Sequence, residues 1–105
     1  MFKIALICEH GASTGLCARK MIEAAEKLGI ECSIAAYSDS QLDNIIENMD
    51  CILLGPQLMF KEEQFKHEYP EHAKKITVIN TMDYGMMNGE KILKDAVALI
   101  ESLKK

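Results

Sequence analysis

Four cysteines stand at positions 8, 17, 32 and 51, and an ionised thiol is a strong nucleophile. Cys8 differs from the other three in the turn that succeeds it. The segment Cys8-Glu9-His10-Gly11-Ala12-Ser13-Thr14-Gly15 leaves a short apolar run and enters a helical pattern. Successive main-chain N–H groups in such a turn, together with those of the helix start, form a concavity suited to an anion. Gly11 and Gly15 permit tight backbone geometry and close approach of an anion. Ser13 and Thr14 can either cap the helix or offer hydroxyls to an oxyanion. A helix start also favours the thiolate over the thiol. The predicted chemistry is nucleophilic attack by the Cys8 sulfur on phosphorus, with the N–H groups of residues 9–15 holding the phosphoryl group that arrives. The competing reading is a buried strand-end cysteine with an ordinary glycine-containing turn after it. Cys17, Cys32 and Cys51 lie on apolar stripes or strands and are expected to pack as small hydrophobes. None of the four forms a C-x-x-C pair, so neither a zinc nor a redox motif is expected. His67 and His72 fall in a charged stretch with Glu62, Glu63, Glu68 and Glu71, which reads as a solvated face rather than a metal site.

Strand, turn and helix recur four times, and this alternation must position the cysteine. The first strand spans Lys3 to Cys8. A helix runs from about Ser13 to Leu28, with Cys17, Met21, Ala24, Ala25 and Leu28 on one stripe, and Gly29 placed to stop it. Ile30 to Tyr37 alternates as a second strand, and Ser40 is a candidate cap for a short helix carrying Leu42, Ile45 and Ile46. Cys51 to Leu54 is continuously apolar, as in a strand covered on both faces. Gly55-Pro56 breaks it, and the next helix runs from about Gln57 to Tyr69. Ile76 to Ile79 is the fourth strand. The last helix runs from about Asn88 to Leu103, with Leu93, Ala96, Val97, Ile100 and Leu103 facing inward. Such alternation gives a parallel sheet with helices on both faces. Ligands bind such sheets outside the carboxyl ends of the strands, where strand order reverses. The loops that matter are then 8–15, 55–57 and 81–88.

Composition narrows the function. The chain has 105 residues, 49% of them hydrophobic, enough for one domain spanning residues 1–105. Its 12 basic and 16 acidic residues give a formal net charge of −4, which argues against nucleic acid and against an anionic membrane surface as partners. No stretch approaches the roughly 18 apolar residues of a membrane span, and the start lacks the features of a secretory signal. A cytoplasmic protein with free thiols is expected, without direct membrane insertion.

Three motifs carry a family resemblance. C-x-x-G-x-S-T closes the first strand, through Cys8, Gly11, Ser13 and Thr14. G-P-Q comes after the third strand, at Gly55, Pro56 and Gln57. Y-G-M-M-N-G-E-K-I-L precedes and opens the last helix, from Tyr84 through Leu93. In this order and at these spacings they resemble the lactose/cellobiose-type B component of a phosphoenolpyruvate-dependent sugar phosphotransferase system, and the resemblance spans the chain. It implies an α/β fold, with a four-stranded parallel sheet in order 2-1-3-4 flanked by helices on both faces, similar to the low-molecular-weight tyrosine phosphatases. It implies a phosphocysteine at Cys8, loaded from a phosphohistidine on the A component. The phosphoryl group then passes to a sugar, such as the β-glucoside cellobiose, held by the membrane C component. No metal or organic cofactor is implied. Because two large partners must reach the sulfur, the Cys8 loop is expected to be open to solvent.

Two residues depart from the family pattern, in which small side chains commonly come after the cysteine. Glu9 sets a negative charge beside a site that must accept one, and a protonated His10 could offset it; alternatively both side chains point to solvent and bear on partner choice. Gln57, at a helix start, could reach the phosphate with its amide or make only local bonds. Tyr84, Met86 and Met87 could rim the site and contact partners, or pack their loop on the core. Met59 and Phe60 fall off the inward stripe and could form a docking patch beside the site. Two rival functions remain. A protein tyrosine phosphatase uses C-x5-R, in which arginine clamps the phosphate; here that position is Thr14, and only Asp83 could imitate its late general acid. A receiver-type module would need an acidic cluster at the ends of the first and third strands, where Glu9 is the lone candidate and nothing acidic comes directly after Leu54; a flavin-binding module would need stacking aromatics, and the chain has no tryptophan and few aromatics.

Overall fold

The computed structural model describes residues 1–9 and 12–104. Its core is a four-stranded sheet of β1 (Phe2–Cys8), β2 (Cys32–Ser38), β3 (Cys51–Leu54) and β4 (Ile76–Val78), in the order β2-β1-β3-β4. Every pairing is parallel. The helices are α1 (Ala12–Leu28), α2 (Leu42–Ile45), α3 (Glu62–Glu68), α4 (Thr81–Gly85) and α5 (Gly89–Leu103).

Successive side chains of a strand point to opposite faces, and the two central strands obey this rule. Ile4 and Leu6 of β1, with Cys51 and Leu53 of β3, join Cys17, Met21, Ile92, Leu93, Ala96 and Ile100 in one apolar cluster beneath α1 and α5. Ala5 and Ile7, with Ile52 and Leu54, join Leu42, Ile46, Leu58 and Phe65 on the opposite face. This is why β3 reads as an unbroken apolar run. Each large aliphatic side chain so buried contributes about 1.5–3 kcal/mol.

The ends of several elements depart from the sequence-based expectations, each for a local reason. β2 begins at Cys32 rather than Ile30, because Ile30 closes α1 instead: its N–H donates to the Ala25 carbonyl (2.9 Å) across Gly29, whose φ of +70° suits glycine. The predicted Ser40 cap is replaced by Ser38, whose main-chain N–H donates to Gln41 Oε1 (2.9 Å) at the entry to a 3-10 turn, Asp39–Gln41. The predicted helix at 57–69 is a 3-10 stretch, Pro56–Lys61, leading into α3. Residues 81–85, expected as loop, form α4, capped by Asn80, whose side chain accepts from the Asp83 N–H at 3.0 Å. Leu28 and Leu103, expected to face inward, are exposed. Each is the last residue of its helix.

At its start, α5 is capped by Asn88, whose side chain accepts from the Lys91 N–H at 3.2 Å. Among the described residues no helix is long and apolar enough to cross a membrane.

Candidate functional site

The carboxyl ends of β1, β3 and β4 bring the three predicted loops to one edge of the sheet. β1 lies between β2 and β3, and the order of strands reverses there. Cys8 is its last residue, in register with Ser38 of β2. On the other side, the Gly55 N–H donates to the Ile7 carbonyl at 2.8 Å, setting the loop after β3 beside the cysteine. The Ile79 N–H in turn donates to the Leu54 carbonyl at 2.9 Å, setting the Asn80 cap beside that loop. Three residues separate Cys8 from the start of α1, whose first turn carries no acidic side chain. A 17-residue helix thus starts beside the thiol with its positive dipole end unopposed from within.

Cys8 is 2% exposed, whereas Glu9 beside it is exposed. The expected openness of the loop therefore does not extend to the cysteine, which is enclosed as the terminal residue of a central strand. Neither apolar cluster includes it, so it lies at the end of the sheet rather than within either core. The other three cysteines are different. Burial pushes the Cys17 thiol up to about 11 and raises that of Cys32. Cys51 is pushed up to about 12, chiefly by burial and further by Asp50, with Lys75 opposing. At neutral pH these three are thiols, not thiolates.

Thr14 is 0% exposed, and its Oγ1 has no hydrogen-bond partner. A buried hydroxyl without a partner costs about 1–3 kcal/mol, and this one stands in the first turn of α1. A Cβ added to Gly55 would stand 3.3 Å from Thr14 Cγ2, 2.8 Å from Gln57 Oε1 and 3.1 Å from Gln57 Cδ. Thr14 and Gln57, far apart in the chain, therefore converge over Gly55. Of the predicted site residues, His10 and Gly11 lie outside the described residues, as do the side chains of Ala12 and Ser13.

The third loop divides its predicted roles. Tyr84 and Met87 pack against the cluster beneath α1 and α5, while Met86 is 71% exposed. The Tyr84 hydroxyl is buried and has no partner. Met87 takes a φ of +52°, a conformation uncommon for a bulky side chain. Asp83, the candidate general acid of a phosphatase, is held in an ion pair with Lys91 at 3.5 Å. Met59 and Phe60 are exposed, as are two apolar residues that sequence reasoning passed over, Leu16 and Met82. The signal for Leu16 was its place off the inward stripe of α1. Met82 could not be singled out until residues 81–85 were known to be helical. All these exposed side chains come after β1, β3 or β4, at the Cys8 end of the sheet.

Two surface clefts lie elsewhere. One of about 290 Å³ runs between β4 and α5, lined by Thr77, Ile79, Ile92 and Leu99 among others. The other, of about 270 Å³, lies beside Tyr69, whose hydroxyl bonds to Asp43. Neither is lined by Cys8. Among the described residues no group of three or more His, Cys, Asp or Glu side chains could hold a metal ion.

The family model described as "PTS system, Lactose/Cellobiose specific IIB subunit" matches residues 3–95. The chain belongs to this family. IIB components act as phosphotransferases in sugar uptake and work with other components of the system such as IIA and IIC. This IIB chain is 34% identical over 100 residues to the oligo-beta-mannoside-specific EIIB component of Bacillus subtilis, covering 95% of this chain and 97% of that one. The solution structure of a cellobiose-specific IIB component from Borrelia burgdorferi superposes with a TM-score of 0.81 at 31% identity, covering 96% of the IIB chain and 93% of that chain. A crystal structure of a YwlE mutant from Bacillus subtilis shares the fold, with a TM-score of 0.63 at 12% identity and both chains covered in full. The low-molecular-weight phosphatase architecture expected from sequence is therefore present.

Proposed function

We propose that Cys8 of this IIB chain carries a phosphoryl group, taken from a phosphohistidine of the A component and passed to a sugar held by the membrane C component. The sugar class we infer is a β-linked glycoside, such as the β-glucoside cellobiose. The relatives named for oligo-beta-mannoside and for cellobiose support this class. Loading breaks the phosphorus–nitrogen bond of the donor as the sulfur–phosphorus bond forms. Transfer of this kind needs positioning and charge stabilisation more than covalent help, and the start of α1 is suited to both.

One observation carries the reading: the unpartnered, fully buried hydroxyl of Thr14 in the first turn of α1. A phosphoryl oxygen on Cys8 would give that hydroxyl an acceptor. The same position in a C-x5-R phosphatase holds a cation, and a neutral hydroxyl suits a group that is kept for transfer rather than released to water.

The test is to incubate the protein with phosphorylated A component and locate the modification by mass spectrometry. A phosphoryl group on Cys8 is the expected result. Modification at His10 instead, or no modification, would overturn the assignment. Rapid release of inorganic phosphate from an aryl phosphate would favour the phosphatase reading.

Thr14→Val tests the hydroxyl separately. Valine keeps the shape and removes an unsatisfied buried polar atom, so the melting temperature should stay level or rise. Loading from the A component should slow by up to about 10²-fold, the cost of losing one donor in an anion-stabilising site. Loading at the native rate would show that the hydroxyl does not meet the phosphoryl group.

A further inference from the structure

A phosphocarrier has to keep its cargo from water for long enough to meet the next partner. The side chain of Gln57 is placed to do this. Gly55 is buried, its N–H is bonded to the residue preceding Cys8, and its missing Cβ is what lets the Gln57 side chain fold back over it. With a Cβ at position 55, Gln57 Oε1 would lie 2.8 Å away and Cδ 3.1 Å away, both too close. Gln57 is itself exposed, while Thr14 on the far side of Gly55 is wholly enclosed. The exposed carboxamide and the enclosed Thr14 side chain, whose hydroxyl was assigned above to the phosphoryl group, thus both border the space over Gly55.

The geometry points to Gln57 as a flap that sets the lifetime of the phosphoryl group on Cys8, with Gly55 as the residue that allows the flap to close. The inference rests on the carrier reading of Cys8. In the reaction it slows, a water oxygen bonds to phosphorus as the sulfur–phosphorus bond breaks. The Cys8 thiolate is left behind, the proton passes to solvent and orthophosphate is released. Gln57 is uncharged and so offers this water neither a general base nor a cationic clamp. It acts by occupying space and by its hydrogen-bonding amide, and its role is one of positioning and exclusion.

Two substitutions open the flap by different routes. Gln57→Ala removes it. Gly55→Ala leaves it present but pushes its flexible end away. Phosphoprotein is prepared, freed of donor, and its decay monitored by release of orthophosphate, so that slower loading does not enter the measurement. Each single variant should shorten the half-life about tenfold. The double variant should decay no faster than Gln57→Ala alone, because with the Gln57 side chain gone the added methyl meets only Thr14 Cγ2 at 3.3 Å, which a small shift relieves. Unchanged half-lives in both single variants would overturn the inference, as would additive effects in the double variant, which would indicate general disturbance of the loop. If the unsubstituted protein takes no phosphoryl group, the carrier reading falls and the flap with it. If it is loaded and the half-lives do not move, only the flap is lost.

Discussion

Cys8→Ala should yield a folded protein that takes no measurable phosphoryl group from the A component, a loss of at least about 10⁴-fold, as expected when a nucleophile is removed outright. The alternatives to Cys8 within the chain are poor. Cys17 and Cys51 are buried, with thiols pushed to about 11 and about 12, and burial raises Cys32 as well. None of them stands beside a helix start. The structural cost is small, because the volume lost is a single sulfur atom, about 1 kcal/mol at a buried site. Circular dichroism would establish that the variant is folded, and labelled transfer would measure the loss. Retention of label on the variant would remove Cys8 from the reaction. Since Cys8 is itself 2% exposed, the same substitution separates a nucleophile uncovered during docking from a cysteine that merely fills the end of β1.

Gly89→Ala should cost about 3 kcal/mol of stability, at the upper end of what overpacking exacts, and lower the melting temperature by roughly 10–20 °C for a domain of this size. The reason is the crossing of α1 and α5. A Cβ at position 89 would stand 2.4 Å from the Lys20 carbonyl carbon, 2.5 Å from its oxygen and 2.8 Å from its Cβ. Two of these atoms are helix backbone, so no rotamer change relieves the overlap and one helix must move. Alanine's better helix propensity returns less than about 1 kcal/mol. The displaced helix would be α1, whose first turn holds Thr14, or α5, whose Ile92, Leu93, Ala96 and Ile100 fill the core beneath it. Thermal denaturation monitored by circular dichroism measures the effect, and a melting temperature within a few degrees of the parent would show that the helices separate at little cost.

Much of this was legible in the residues. The alternation of apolar strands with amphipathic helices is a local signal, and it supplied the element order and the α/β class; the order 2-1-3-4 came from the family resemblance carried by the three motifs. Gly29 and Asn88 act through neighbours close in the chain, so their roles as helix stop and helix start could be read directly. The distinction of Cys8 from Cys17, Cys32 and Cys51 came from the apolar periodicity around the latter and the glycine- and hydroxyl-rich turn after the former.

What the tertiary structure decided depends on contacts between residues far apart in the chain. Gly89 sits in a recognisable motif, but the need for glycine there comes from Lys20, on another helix. Gly55 looks like a strand breaker and proves to be the ground on which Thr14 and Gln57 meet. The enclosure of Cys8, in a loop expected to be open, is a property of the folded chain. Leu28 and Leu103 keep the periodicity of an inward stripe yet are exposed at the last residues of their helices. Periodicity specifies which face a side chain is on; whether anything stands opposite that face is fixed only when the distant segments have packed.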